Sequence, residues 1–133
     1  MTLEEFLNKQ PKENIRFALS ESWKDGDGKP LQWEMRTLSQ QEGKELRQRL
    51  VGRKLDKIDA LFEFAAESLT DPDLHRKEFL DGASAKAVKP ILTPADALRV
   101  MLDNDEVQRL AAIYAEYSGM NQSVGALVEQ AKN

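Results

Sequence analysis

The stretch WKDGDGKPLQWEM, residues 23–35, decides the fold. Counted from Trp23, the residues Asp25, Asp27, Gly28 and Glu34 stand at positions three, five, six and twelve of a calcium-binding EF-hand loop. Such a loop wants a carboxylate at position one and a helix on each flank. Here position one is Trp23, position eight is Pro30, and the flanks alternate. Upstream, Ile15, Phe17 and Leu19 alternate with Asn14, Arg16 and Ser20, and Trp23 keeps the odd-numbered phase. Downstream, Leu31, Trp33 and Met35 alternate with Gln32, Glu34 and Arg36. Alternation of this kind predicts two half-buried strands. The two Asp-Gly steps between them are turn signals, because glycine accepts a positive φ. The stretch reads as the turn of an antiparallel hairpin spanning about 14–38, with its carboxylates as turn formers and solubilisers.

Outward from the hairpin the pattern changes to helix. Before it, Thr2 and Glu5 form a capping box for a short helix edged by Leu3, Phe6 and Leu7, which Pro11 ends. After it, Ser39 with Glu42 opens a helix over about 39–51, with Leu46 and Leu50 as its apolar edge. Asp56 caps a helix over about 56–69 whose stripe is Ile58, Leu61, Phe62, Ala65 and Leu69. DPD at 71–73 breaks it, and a short helical turn is expected around His75 to Leu80. Residues 81–93, DGASAKAVKPILT, read as the loosest internal stretch. Thr93-Pro94 starts a helix over about 94–102. Asp103 with Glu106 caps one over about 104–118, faced by Val107, Leu110, Ala111, Tyr114 and Tyr117, with Gly119 as its stop. The expectation is an α+β fold: an N-terminal antiparallel β-hairpin followed by a bundle of about four to six helices, in a single domain over 1–119. An isolated hairpin is marginal in water, so its apolar face must pack on helices or on another chain. Residues 120–133 form a short C-terminal tail with one amphipathic patch, Val124, Leu127 and Val128.

Bulk composition narrows the function classes. At 133 residues the chain suits one domain, with a hydrophobic fraction of 41% and a charged fraction of 32%. A net charge of -4 argues against a global pull toward nucleic acid. With no cysteine there is neither a disulfide framework nor a thiolate zinc site. The N-terminal MTLEEFLNKQP lacks the apolar core of a secretory signal, and no apolar run approaches the ~20 residues of a membrane span. A cytoplasmic protein is expected.

The residue patterns supply no catalytic, cofactor or metal site. His75 is the only histidine and lies in the polar run HRKE, so a solvated side chain is expected rather than a ligand or a triad member. No Gly-rich phosphate loop is present. The basic run at 47–57, with Arg47, Arg49, Arg53, Lys54 and Lys57, admits a nucleic-acid reading. Interleaved Glu42, Glu45, Asp56 and Asp59 favour a solvated, salt-bridge-laced face instead. Trp23 and Trp33 flank the turn in one phase, either as a small core sealing the hairpin end or as a partner-binding anchor. Phe64, off the main stripe of its helix, is a weaker candidate of the same kind. Val124, Leu127 and Val128 either dock on the body or enter a partner's groove.

The segments TLEEFLNKQPKENIRF, SESWKDGDGKPLQWEMRTLS with its following QQEGKELR, ESLTDPDLHRKEFLD and the ending ALVEQAKN occur in an order that resembles bacteriophage and prophage tail assembly chaperones of the XkdN-like family. The resemblance covers most of the chain. It departs where members often carry a Tyr-Gly pair and this chain has GASAK, and where they often carry Pro-Gly-Glu-Tyr and this chain has DNDE. The resemblance implies a non-catalytic protein that binds the tape measure protein, and tail tube subunits, in the host cytoplasm and is absent from the mature virion. It also implies a frameshift-extended form of the same protein as a partner. Trp33→Ala or Leu127→Asp is then expected to weaken client binding more than folding.

Overall fold

The computed structural model describes residues 1–119. Nine elements follow one another in the described chain: α1 (Leu3–Leu7), β1 (Ile15–Ala18), β2 (Gln32–Met35), α2 (Gln40–Leu50), α3 (Lys57–Ser68), β3 (Leu69–Asp71), α4 (Lys77–Ala87), α5 (Pro94–Met101) and α6 (Asn104–Ser118). The class is α+β, a three-stranded antiparallel sheet with six helices among the described residues.

β1 and β2 form the hairpin that the alternation predicts, with Ile15 opposite Met35 and Phe17 opposite Trp33. The odd-numbered side chains face the helices, so Trp33 and Met35 are fully buried while Ile15 and Phe17 are half-buried. Beyond Ala18 the ladder breaks in an unpaired bulge, Leu19 to Ser22, whose first residue is buried in the core and whose last two form a turn. Pairing resumes one step later: Leu31 N–H donates to Trp23 O at 2.8 Å, and Lys24 pairs with Pro30. The tip is a tight turn in which Asp25 Oδ1 accepts from Asp27 N at 2.8 Å and Lys29 N at 3.0 Å. Gly28 closes it at φ 79, a left-handed conformation that costs glycine little. Glu34, the last carboxylate of the EF-hand spacing, lies on the outer face of the sheet. There it pairs with Arg16 at 3.2 Å and accepts from Thr70 Oγ1 at 2.7 Å, tying three strands together.

The third strand departs from the sequence reading, which carried the helix of residues 56–69 to Leu69. α3 stops at Ser68, and Leu69 to Asp71 turn extended to pair with β2, Met35 opposite Leu69 and Glu34 opposite Asp71. Three residues are too short to show a period of two. The strand exists because β2 offers an open edge. A second departure is α4, an eleven-residue helix that takes in much of the stretch read as loosest.

The core sits between the sheet and the α3–α6 pair. Phe62, Ala65 and Ala66 of α3 meet Leu110, Ala111 and Tyr114 of α6, with Leu98 of α5 and Leu74 filling the remaining side. A smaller cluster of Ala83, Ile91 and Ala97, flanked by Leu80, Ala87 and Val100, fastens α4 to α5. No helix among the described residues is long and apolar enough to cross a membrane.

Candidate partner-binding site

Three elements converge on Trp23: the hairpin, α4, and the junction of α5 with α6. The position of the indole begins with a helix cap. Asp103 Oδ1 accepts from Glu106 N at 2.9 Å and Glu106 Oε1 accepts from Asp103 N at 3.0 Å, the reciprocal pair of a capping box. Glu106 is only 5% exposed, and its second oxygen is aimed at the hairpin. Oε2 accepts from Ser20 Oγ and from Trp23 Nε1, both at 2.6 Å. Burial pushes the Glu106 carboxyl up, but the Ser20 hydroxyl, the Asp103 amide and the Trp23 indole N–H outweigh it and hold the group below its ordinary value. Arg109, one turn further along α6, donates from Nη1 to Leu19 O at 2.7 Å. The bulge at 19–22 is therefore clamped to the start of α6, and this clamp orients Trp23.

With its N–H engaged, Trp23 sets its ring edge-on to Trp33, centroids 5.7 Å apart and planes at 86°. Its open side lines a groove of about 450 Å³ together with Phe79, Gly82, Ala83 and Met101, with Glu78 and Lys86 also on the wall. A smaller hollow of about 140 Å³ shares Trp23, Phe79 and Met101 and runs on toward Leu31 and Pro72. The lining is apolar, and Gly82 leaves it open: a Cβ built there would meet nothing within 4 Å. Nothing in this wall supplies a nucleophile and base. What it offers is apolar surface beside one carboxylate and one ammonium.

The other sequence candidates separate in space. Trp33 is 2% exposed and packs in the main core, so it supports Trp23 and presents almost no surface to a partner. Its Nε1 has no hydrogen-bond partner among the described residues. Phe64 is half-buried and stacks on Tyr114 at 6.1 Å, within the α3–α6 packing and outside the groove. Val124, Leu127 and Val128 lie outside the described residues. His75 is exposed with Nε2 3.3 Å from Glu67 Oε2. In the basic run, Arg49 pairs with Glu67 at 2.5 Å and Arg53 with Glu63 at 3.4 Å. Glu63 also faces Arg99 at 3.7 Å, which gives its buried oxygen charge neutralisation without an aligned hydrogen bond. Arg49 and Arg53 are thus held by Glu67 and Glu63 of α3, whereas of the interleaved acids Glu42 pairs with Arg36 and Asp59 with Arg99.

Phe79, Gly82, Ala83 and Met101 were not singled out in the sequence, and Glu106 was not read as a site residue. Phe79 and Ala83 are one helical turn apart, a signal diluted by the alanine- and glycine-rich run around them. Glu106 showed itself only as a cap, and nothing local to it announces a bond to Trp23.

Residues 3–132 match the family model described as phage XkdN-like tail assembly chaperone protein. The crystal structure of the protein YqbN is similar in fold, with a TM-score of 0.70 and 17% sequence identity over 90% of this chain and 97% of that one. No curated protein matches the chain.

Proposed function

The chain belongs to the phage XkdN-like tail assembly chaperone family, a non-catalytic role toward tail proteins, and from that premise we propose that its client is the tape measure protein, gripped in the groove beside Trp23. The client contributes the apolar stripe of a helix. An amphipathic helix buries anchors at i, i+3, i+4 and i+7 when laid in a groove. The single observation that carries this reading is the apolar opening walled by Trp23, Phe79 and Met101 and left clear by Gly82. Glycine and alanine on the α4 face let a partner backbone come close, while Trp23 gives a rigid, desolvated anchor of the kind that dominates interface energies. Glu78 and Lys86 lie beside the apolar lining, where opposite charges favour one client orientation over its reverse.

Holding such a stripe keeps a long helical protein from self-association until tail tube subunits arrive, in the cytoplasm of the bacterial host and without incorporation into the mature virion. A frameshift-extended form of the chain would add binding surface beyond residue 133. Co-expression with a tape measure fragment tests the reading. The wild type is expected to keep the fragment in the supernatant and to co-purify with it, whereas Met101→Asp at the groove, if still folded, loses both. Equal recovery by folded Met101→Asp and wild type would remove the groove from the mechanism.

A further inference from the structure

We propose that the apolar edge of α1 is covered by the chain's own C-terminal segment, through Val124, Leu127 and Val128. Every residue from Met1 to Asn14 is exposed, and Leu3, Phe6 and Leu7 stand 73%, 70% and 68% open. Those three lie at i, i+3 and i+4 of one short helix, so they form a single apolar edge. A five-residue helix is far below the length that persists alone in water. Its capping box, Thr2 with Glu5, satisfies two N–H groups but buries nothing. A cover for the edge is the missing contribution.

The place where the described chain ends identifies the cover. Lys12 Nζ donates to Tyr117 O and lies 4.3 Å from the centre of the Tyr117 ring, and Tyr117 Oη donates to Glu13 O at 2.8 Å. The last turn of α6 is thereby fixed to the segment leading out of α1. Gly119 at φ 77 ends α6 and turns the chain there. From the Lys12–Tyr117 contact the path back to Leu7 spans five residues and the path on to Val124 seven, about 17 Å and about 24 Å at full extension. Residues 124, 127 and 128 repeat the i, i+3, i+4 spacing of residues 3, 6 and 7. Two matching apolar edges on tethers this short meet at an effective concentration in the millimolar range, far above that of a second copy in dilute solution. The segment thus has an intramolecular partner, distinct from the groove beside Trp23.

The absence of cysteine makes the test clean. Three double variants place one cysteine on each edge: Phe6→Cys with Leu127→Cys, Leu3→Cys with Val128→Cys, and Leu7→Cys with Val124→Cys. The readout is disulfide formation under mild oxidation of the full chain. At least one pair is expected to close within the chain about tenfold faster in native buffer than in urea, at a rate unchanged by dilution. Closure no faster than in urea for all three would overturn the proposal, and so would cross-links only between chains at a rate that rises with concentration. Hydrogen exchange supplies the second measurement. In Leu127→Asp, the α1 amides of Phe6 and Asn8, bonded to Thr2 O and Glu4 O, are expected to exchange several-fold faster than in the wild type, and unchanged exchange would overturn the proposal.

Discussion

Replacing Glu106 by alanine removes the clamp that orients Trp23. The side chain accepts two hydrogen bonds from the hairpin, each at 2.6 Å, and one from its own cap at 3.0 Å. Hydrogen bonds to an ionised group contribute roughly 1.5–3 kcal/mol each on net. Ser20 and Trp23 are only half-buried, so water recovers part of what they lose, and the low end applies to both. Asp103 still caps Glu106 N through its own carboxylate, leaving about 0.5 kcal/mol for the returning half of the box. Together these give a loss of about 3.5 kcal/mol, a large share of the roughly 5–15 kcal/mol of a whole domain. Urea unfolding followed by tryptophan fluorescence reads it as a fall in midpoint at constant slope. Glu106→Gln loses the charge and keeps one acceptor oxygen; with that oxygen toward Ser20 and Trp23 it gives up the returning bond from Asp103 N, and about half the deficit is expected. The depressed carboxyl adds a pH signature. Its contribution is complete above the unfolded carboxylate value and vanishes as pH falls through the lower folded value, so the gap between wild type and Glu106→Gln narrows on acidification. A Glu106→Ala loss under about 1 kcal/mol at unchanged slope would refute the clamp.

Other substitutions separate the fold from the site. Trp33→Ala is expected to cost about 3–5 kcal/mol in urea unfolding, because it opens a cavity in the core, and Trp23→Ala less than half of that. Client affinity should rank the folded variants the other way. Gly82→Ala should raise stability by up to about 1 kcal/mol, since the position is helical and a Cβ there meets nothing. At α2, the Arg36 guanidinium beside Glu42, helped by the Ser39 amide, lowers that carboxyl to about 2. Both side chains are more than a third exposed, so Glu42→Gln is expected to cost only about 0.5 kcal/mol near neutral pH. That deficit should hold above the unfolded value and disappear as pH falls toward 2, measured as the difference in unfolding midpoint.

The residues that spoke plainly in the sequence are those whose partners lie within a few positions. The capping boxes at Thr2, Ser39 and Asp103 and the helix start at Thr93-Pro94 are local bargains between a side chain and nearby amides. The hairpin is equally legible, because one buried face imposes a period of two on each strand. β3 was hidden because three residues carry no period and their pairing with β2 spans more than thirty positions. α4 was hidden because alanine and glycine blur its stripe, and what holds it is contact with α5. Half of the tryptophan hypothesis was visible: the two rings do meet, but the alternation could not say which would be buried. The bond from Glu106 across 83 positions orients Trp23, and no spacing rule reaches so far.

Gly82 allows the groove to be blocked without disturbing the core. Gly82→Arg introduces a long side chain at a helical position with open space before it, so the variant should fold like the wild type by urea unfolding. Titration of a helical tape measure fragment into both proteins by calorimetry is the direct measurement. At least a tenfold loss of affinity in Gly82→Arg, about 1.4 kcal/mol, is expected if the groove beside Trp23 holds the client. An affinity equal to that of the wild type, in a variant shown to be folded, would place the client elsewhere on the molecule.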